Sequence, residues 1–341
     1  MSELRAIKLT AANHVPHPLH SATRPWPETN CYLDLWIELL HALDRDPTPL
    51  LGVAAALEWE ADHFTFLKPS AGDIFAATGV AMHEMALWDD IETHVAAQLG
   101  AGAIPLLEVD AFFLPDTQGN AYRDRHTKTT VAITAMDPAG PWLEYFHNAG
   151  LFRLSDRDYA GVLGRGDQNP ALFPYAELAR VAAPSPSPET TRNLAHGALL
   201  RNAATRRPGN PIDSFGAALP ELLARTGPEA LRIHALCFNT TRQLGAAFSL
   251  FADHLKWLGS DPRNAAWLAD AAKELQFRLS RAARRGRTDP EIDALLAKMS
   301  LAWWRCFSGP EHDEEHRPSE HGRNLLSGYG GRSEPGCTTQ H

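Results

Sequence analysis

The sequence has few cysteines and no long apolar run, and each scarcity excludes a class of protein. Its four cysteines are widely separated in 341 residues, so their spacing does not form a paired metal-ligand motif. No run approaches the roughly 18 apolar residues that a membrane crossing needs. The N-terminal segment MSELRAIKLT also lacks the apolar core of a signal peptide. We therefore expect a cytoplasmic protein that has no membrane partner.

Basic stretches are also missing. The formal net charge is −9 and the isoelectric point is near 6.0, so nothing in the sequence is suited to neutralising the phosphates of a nucleic acid. A hydrophobic content of 44% together with 341 residues is enough for a globular protein with two domains.

The pattern of the chain changes near residue 180. Short β-rich runs alternate with helical ones over residues 1–181, which predicts an α/β domain, and a Pro/Ser-rich linker is predicted over 182–191. Residues 192–307 read as a helical domain. Apolar residues recur there three and four apart, in the helices predicted at 212–225, 229–258, 264–283 and 289–307. Residues 308–341 have no apolar periodicity, which predicts a disordered tail.

Cys31 is the candidate nucleophile. It stands immediately before a helical apolar pattern in PETNCYLDLWIELLHAL (27–43), with Thr29 or Asn30 available as N-cap. In a first helical turn, unpaired backbone N–H groups and the positive end of the helix dipole stabilise a thiolate. The competing interpretation is a small buried cysteine, which is the usual state of this residue.

His126 is the candidate base. In residues 125–150, two β-patterned runs flank the turn signal DPAG, which predicts an antiparallel hairpin whose first strand opens with His126. Alternation assigns the residues of this strand to two faces: Thr127, Thr129, Val131 and Ile133 on one, and His126, Lys128 and Thr130 on the other, towards a cleft. An ordinary polar residue at a sheet edge is the alternative.

A third group should orient the imidazole. Asp137 lies in the turn, at the far end of the hairpin from His126, whereas Asn148 lies where the chain has returned. Asn148 is the preferred candidate, although it needs a bulge or an earlier turn to reach His126. His147, on the other face of the strand, stays open as a rival.

Five segments together resemble an uncharacterised bacterial domain family of unknown function, over residues 25–180. They are WPETNCYLDLWIELLHAL, DHFTFLK, LLEVDAFFLPDTQGNAYRDRHTKTTVAI, YFHNAG and LFPYAEL. More distantly, the sequence is similar to the N-terminal domain of the butirosin-biosynthesis acyltransferase and to bacteriocin-processing cysteine peptidases, which are papain-like. The resemblance implies an α+β fold, with a papain-like N-terminal module and a C-terminal helical bundle. It also implies the triad Cys31, His126 and Asn148.

One position departs from the peptidase pattern, in which an oxyanion-donating Gln stands six residues before the cysteine. Pro25 occupies that position here, so the oxyanion hole needs other donors. The candidates are the Cys31 backbone N–H, Asn30 and Trp26. Asp110, at the end of the strand IPLLEV, is a further cleft candidate, although a turn cap is the simpler interpretation.

Two clusters contain residue types that bind metal ions. The acidic cluster is Glu108, Asp110, Asp116 and Asp124, and the histidine cluster is His14, His17 and His20. We interpret the acidic residues as loop caps and the histidines, interleaved with prolines, as part of an extended arm. No metal site and no bound cofactor are therefore predicted.

The predicted function is acyl transfer through an acyl-enzyme on Cys31. Members of the resembled family often lie beside carrier proteins, which implies an acyl or aminoacyl group on a carrier protein's phosphopantetheine as donor, and a small-molecule amine or hydroxyl as acceptor. Two alternatives stay open. One is a thioesterase or amide hydrolase that uses the same triad, and the second is a non-catalytic protein that docks a carrier protein.

Overall fold

The computed structural model describes residues 3–165, 173–227, 229–288 and 290–307. The chain is mixed α and β, with an antiparallel sheet in the N-terminal half and a helical C-terminal region, as the predicted fold class requires at this level. The predicted tail at 308–341 lies outside the described residues.

The strands form one large sheet and one small hairpin. They are β1 (Leu4–Arg5), β2 (Trp59–Glu60), β3 (His63–Phe64), β4 (Val80–Glu84), β5 (Ile104–Asp110), β6 (Lys128–Asp137), β7 (Trp142–His147), β8 (Gly150–Ser155) and β9 (Ala176–Val181). The large sheet has the order β4-β9-β5-β6-β7-β8, with β1 also paired to β6, and all of these pairings are antiparallel. Strands β2 and β3 pair only with each other.

The hairpin predicted around DPAG is formed by β6 and β7. Ala132 pairs with Phe146, and an irregularity between Ile133 and Ala135 shifts the register towards the turn. Val131 and Ile133 pack on one face of the sheet and Ala132 on the other, so the predicted alternation of β6 is confirmed. The predicted start of the strand is two residues early, because β6 begins at Lys128 and not at His126.

The helices are α1 (Cys31–Ala42), α2 (Ala71–Thr78), α3 (Ile91–Gly100), α4 (Asp156–Val162), α5 (Pro188–Ala204), α6 (Pro211–Thr226), α7 (Ala230–Leu258), α8 (Arg263–Arg285) and α9 (Pro290–Phe307). Short 3-10 helices include Pro18–His20, Thr48–Ala56 and Ala111–Phe113. In the described residues, no helix is both long and apolar enough to cross a membrane.

Helix α5 begins inside the segment predicted as a linker. Ser187 caps it by accepting a hydrogen bond from the Thr190 N–H, and Pro188 stands in the first turn, where its missing N–H costs nothing. Few of its residues are buried, so its sequence has little of the apolar periodicity that predicted α6 to α9.

Helix α1 packs on both halves of the molecule. One side, which includes Trp36 and Leu39, packs on the large sheet. Leu33 and Ile37 belong to a second core, which is shared with helices α6 to α9. A third side carries Asp34 and Glu38, two fully buried carboxylates. Buried charges need partners, so this third side must face other polar groups.

Candidate active site

Cys31 is the first residue of α1. Asn30 caps the helix, and its side-chain oxygen accepts hydrogen bonds from the backbone N–H groups of Tyr32 and Leu33. Among the described residues, the Cys31 N–H has no acceptor. The Cys31 thiol is partly exposed, and its sulfur lies 4.0 Å from the hydroxyl oxygen of Thr130 on β6. The predicted setting of this cysteine in a first helical turn is confirmed.

Two of the oxyanion candidates are already engaged elsewhere. The side-chain N–H group of Asn30 donates to the Leu67 carbonyl at 3.2 Å, while its oxygen caps the helix. The indole N–H of Trp26 donates to the Ala269 carbonyl at 2.8 Å in the helical region. The Trp26 indole has a single N–H and must give up this bond before it can stabilise an oxyanion, whereas the Asn30 amide keeps a second hydrogen. The Cys31 N–H belongs to the nucleophile itself and has no acceptor among the described residues, so it is the best placed of the three.

His126 is not in hydrogen-bond contact with Cys31 or Asn148. Its Nδ1 lies 2.5 Å from the Asp110 carboxylate, and its ring stacks on Phe112 at a centroid distance of 4.5 Å. The side chain is 66% exposed. Lys128 and Thr130 follow His126 on the same side of the strand, so Thr130 and not His126 reaches the sulfur. The structure therefore lacks the expected contact between Cys31 and His126, because the register of β6 places Thr130 at the sulfur.

The other predicted orienting residues also lie elsewhere. Asn148 is the first residue of the two-residue turn between β7 and β8, with φ +47°, a conformation that Asn tolerates better than most residues. Continuing the pairing of Ala132 with Phe146 places Asn148 opposite Thr130 and away from His126. Asp137 accepts a hydrogen bond from the Ala139 N–H in the β6–β7 turn. Asp110 is the residue that orients His126, and it also accepts from the Phe112 N–H as a turn cap.

His147 belongs to a buried polar cluster on the opposite face of the sheet. Its Nδ1 lies 2.5 Å from the Asp116 carboxylate, and its Nε2 lies 2.8 Å from the hydroxyl of Thr129. The Tyr145 hydroxyl donates to the second oxygen of Asp116. Burial raises the pKa of Tyr145, and the neighbouring Asp116 charge raises it further. Both nitrogens of the His147 ring are therefore occupied.

The N-terminal arm supplies polar partners for α1, which sequence reasoning missed. His20 lies between the two buried carboxylates: its Nδ1 contacts Glu38, and its Nε2 lies 3.4 Å from Asp34. The Nε2 of His14 lies 3.1 Å from the other oxygen of Glu38. The side chains of His14 and His20 are therefore buried against α1, which the prediction of an extended arm did not include. Asp34 and Glu38 in an otherwise apolar helix were the available signal.

The contacts among His14, His20, Asp34 and Glu38 favour a positive charge on His20 and a negative charge on Glu38. Burial alone would lower the pKa of His20, but its contacts with Asp34 and Glu38 outweigh burial and raise the pKa to about 9. Burial would likewise raise the pKa of Glu38, yet the contacts of His14 and His20 hold it at about 2. A protonated His20 beside an ionised Glu38 is thus the stable state near neutral pH. Within the described residues, no group of three or more His, Cys, Asp or Glu side chains is placed to hold a metal ion.

A cavity of about 1440 Å³ opens at the start of α1. Cys31, His14, Thr129, His147 and Asn148 all contribute to its walls, whereas His126 does not. The first turns of α7 form the opposite wall. The cavity is therefore lined mainly by the N-terminal half of the chain, and the first turns of α7 complete its wall.

The charges of the cavity are mixed. Arg232 and Arg242 of α7 line it, together with Lys128 from β6, while Glu28 lies 3.9 Å from Arg242. Burial raises the pKa of Glu28, and the charge of Asp34 adds to this effect. Cationic groups beside an apolar and partly polar lining suit an elongated ligand that carries an anionic group.

Two family models match the chain. The model of the DUF1839 N-terminal domain matches residues 15–181, and that of the DUF1839 C-terminal domain matches residues 189–310. The chain belongs to the DUF1839 family. No curated protein matches it. The DUF1839 family has no established function. Membership therefore assigns both halves of the chain to one family, and a function has to be argued from the cavity around Cys31.

Proposed function

We propose that this DUF1839 protein is a cysteine-dependent acyl transferase that passes an acyl or aminoacyl group from a carrier-protein thioester to an amine or hydroxyl acceptor. The observation that carries the proposal is the position of Cys31. Its thiol is the first side chain of α1, it lines the cavity, and its backbone N–H has no acceptor among the described residues. Nucleophile and oxyanion donor thus belong to one residue.

The reaction proceeds in two half-reactions. In the first, the Cys31 thiolate attacks the thioester carbonyl, the donor C–S bond breaks, and the pantetheine sulfur leaves and takes up a proton. In the second, the acceptor attacks the acyl-enzyme, loses its proton to a base, and releases the Cys31 thiol. The Cys31 N–H supports the carbonyl oxygen in both steps, where negative charge develops.

The distant likeness to papain-like enzymes belongs to this proposal. In its support, a helix that starts with a cysteine packs against an antiparallel sheet. The departure is at the neighbouring strand, where Thr130 faces the sulfur and a base would be expected. A threonine hydroxyl does not accept a proton at neutral pH, so the base must come from another element.

A carrier-protein donor is consistent with the size and charge of the cavity. A volume of about 1440 Å³ exceeds the roughly 300–1000 Å³ of typical small-molecule sites, which leaves room for a pantetheine arm and an acceptor together. Arg232 and Arg242 can bind the phosphate of the phosphopantetheine arm. Room for an acceptor favours transfer over hydrolysis, and hydrolysis with the same nucleophile is the alternative.

Intact mass spectrometry of the protein incubated with an aminoacylated carrier protein tests the proposal. We expect an adduct with the mass of the acyl group, mapped to Cys31 by peptide analysis and absent from Cys31→Ala. Cys306→Ala is the matched control and should keep the adduct. Release of the acyl group onto added amines identifies a transferase, and release only into water identifies the hydrolase. Carrier-protein binding without any adduct would contradict both and leave a docking protein.

A further inference from the structure

We propose that His14, oriented by Glu38, is the base that activates Cys31. The assignment rests on the proposed function, since it names the proton acceptor of the same reaction. It replaces His126 in that role by a residue of the N-terminal arm, which lies before α1 in the chain and reaches the cavity from the sheet-facing side.

The chemical state of the His14 ring follows from its contacts. Its side chain is only 4% exposed, and its Nε2 lies 3.1 Å from the Glu38 carboxylate, which is fully buried. The pair lies outside hydrogen-bond geometry, but Nε2 is the ring nitrogen next to this carboxylate, so we assign the ring hydrogen to Nε2 and the lone pair to Nδ1. This is the tautomer that a general base needs, and the carboxylate stabilises the imidazolium that forms.

Neither ring nitrogen of His14 has hydrogen-bond geometry with any described residue, Cys31 included, although both nitrogens are buried. An unpaired buried polar atom costs about 1–3 kcal/mol, so native proteins rarely leave one without a purpose. Because His14 lines the cavity, the missing partner can come from there. A thiol, or the proton of an attacking amine, fits an unshared lone pair.

Helix α1 carries both Cys31 and Glu38, the carboxylate that His14 contacts. Glu38 follows Cys31 by seven residues, which is two helical turns, so both side chains lie on one side of α1, about 10 Å apart along its axis. Side chains of a helix lean towards its N-terminus, which shortens the gap between the Glu38 carboxylate and Cys31. The Glu38 carboxylate that His14 contacts therefore lies on the same side of α1 as Cys31.

The sheet gives an independent placement. The His14 ring meets Phe146 edge-on, at a centroid distance of 5.3 Å. Phe146 pairs with Ala132, and Thr130 lies two residues from Ala132 on the same face. Thr130 is the residue that contacts the Cys31 sulfur. His14 and Cys31 therefore contact the same face of the sheet, His14 at Phe146 and Cys31 at Thr130.

The other histidines of the cavity are less suited. His147 lies on the opposite face, and both of its nitrogens are occupied. His63 is 66% exposed and bound to Asp62, and His234 stacks on Phe238 at the far wall on α7. His14 is the one cavity histidine in the described residues that combines a buried carboxylate on one nitrogen with no partner on the other.

In the proposed step, the S–H proton of Cys31 moves to His14 Nδ1, and the resulting thiolate attacks the thioester carbonyl carbon. When the donor C–S bond breaks, the imidazolium returns that proton to the departing sulfur. Glu38 keeps its negative charge throughout. No oxidant, reductant or metal takes part in this step.

The pH profile of Cys31 alkylation by iodoacetamide tests the assignment without any substrate. With a His14 base, we expect His14→Gln to lower the alkylation rate at pH 7 at least tenfold, and the loss to shrink at higher pH, where hydroxide replaces the missing base. His126→Gln is the matched control and should keep the wild-type profile. An unchanged profile in a folded His14→Gln protein would overturn the assignment.

A second measurement does not depend on the stability of that variant. Ring signals of His14 can be compared by NMR at pH 7 in the wild type and in Cys31→Ala, which removes one partly exposed sulfur. We expect the ring signals of His14 to move between the two proteins, and identical signals would reject the pairing. A failed acylation test with a moved His14 signal would instead reject the acyl-transfer function and keep the thiol–imidazole pair.

Discussion

His14 and His147 lie on opposite faces of one sheet, and each has a ring nitrogen beside a buried carboxylate. The difference is at the second nitrogen. Thr129 occupies it in His147, while in His14 it has no partner among the described residues. A histidine whose hydrogen-bonding capacity is fully used holds a structure together, whereas one with an open lone pair can accept a proton.

The two sites also differ in what they join. The cluster of His147, Asp116 and Tyr145 connects strands β6 and β7 to the loop before β6, all within the N-terminal half. The network of His14, His20 and Glu38 ties the N-terminal arm to α1, whose other surfaces pack on the sheet and on the helical half. Changes at the first site should therefore affect stability more than thiol chemistry, although it shares the cavity wall, and changes at the second should affect both.

The largest expected effect on stability comes from Asp116→Ala. The change leaves the buried Tyr145 hydroxyl and one nitrogen of His147 unpaired, and we expect the free energy of unfolding to fall by roughly 3 kcal/mol. Chemical denaturation measures this loss. The rate of Cys31 alkylation in native buffer should stay within twofold of wild type, because the side chain in contact with the sulfur is Thr130, on the opposite face of the sheet from the cluster.

Asp124→Ala is the matched control for that variant, since the Asp124 side chain is 77% exposed. Its free energy of unfolding should change by less than about 0.5 kcal/mol. A tenfold loss of Cys31 reactivity in a folded Asp116→Ala protein would break the contrast between the two faces and assign the base to His147.

Glu38→Gln should cost somewhat less stability and should also slow the thiol. Glutamine keeps the shape of the side chain but cannot compensate a protonated His20, so we expect a loss of about 2 kcal/mol in the free energy of unfolding. Without the carboxylate, His14 loses the charge that stabilises its imidazolium. Alkylation of Cys31 at pH 7 should fall several-fold, and a stability loss with unchanged alkylation would reduce Glu38 to a structural role.

The network also predicts how stability depends on pH. An imidazole titrates near 6.5 in an unfolded chain, and the folded pKa of His20 is about 9. Its stabilisation is therefore complete below pH 6.5 and is lost as the pH rises through 9. Glu38 contributes in the opposite sense: its stabilisation is present above pH 4.5 and is lost as the pH falls through about 2.

Denaturation at pH 6 and at pH 9.5 measures the contribution of His20. We expect wild type to lose on the order of 2 kcal/mol between these values, and His20→Gln to be less stable at pH 6 but nearly flat across the interval. Equal slopes in the two proteins would show that other groups set the alkaline loss.

Much of the fold could be predicted from local patterns. The apolar spacing of α6 to α9 and the turn signal between β6 and β7 each specify their element within a few residues. The N-cap at Asn30 and the strand at Ile104–Asp110 are equally local features. Helix α5 was missed because its surface is mostly polar, and only its cap and first-turn proline mark its start.

The site could be predicted only in part, because its partners meet through the tertiary fold. Cys31 was found because a helix start is a local feature. The pairing of His126 with Cys31 failed because the register of β6 on α1, which no local pattern fixes, brings Thr130 to the sulfur. His14 was overlooked because Pro16 and Pro18 indicate an extended arm, while Glu38, the buried carboxylate beside it, lies two turns into α1.

His126→Ala is expected to have the smallest effect, and it decides between the sequence-based triad and the arm histidine. The His126 side chain is 66% exposed, and its removal leaves Asp110 accepting from the backbone N–H groups of Phe112 and Thr127. Burial tends to raise the pKa of Asp110, and the bond to His126 is the largest of the contacts that lower it, so that pKa should rise in the variant. We expect a stability change below about 0.5 kcal/mol and Cys31 alkylation within twofold of wild type. Denaturation curves and the alkylation rate at pH 7 measure both. A tenfold slower thiol would mean that His126 reaches the sulfur in solution, and the base would then be His126 and not His14.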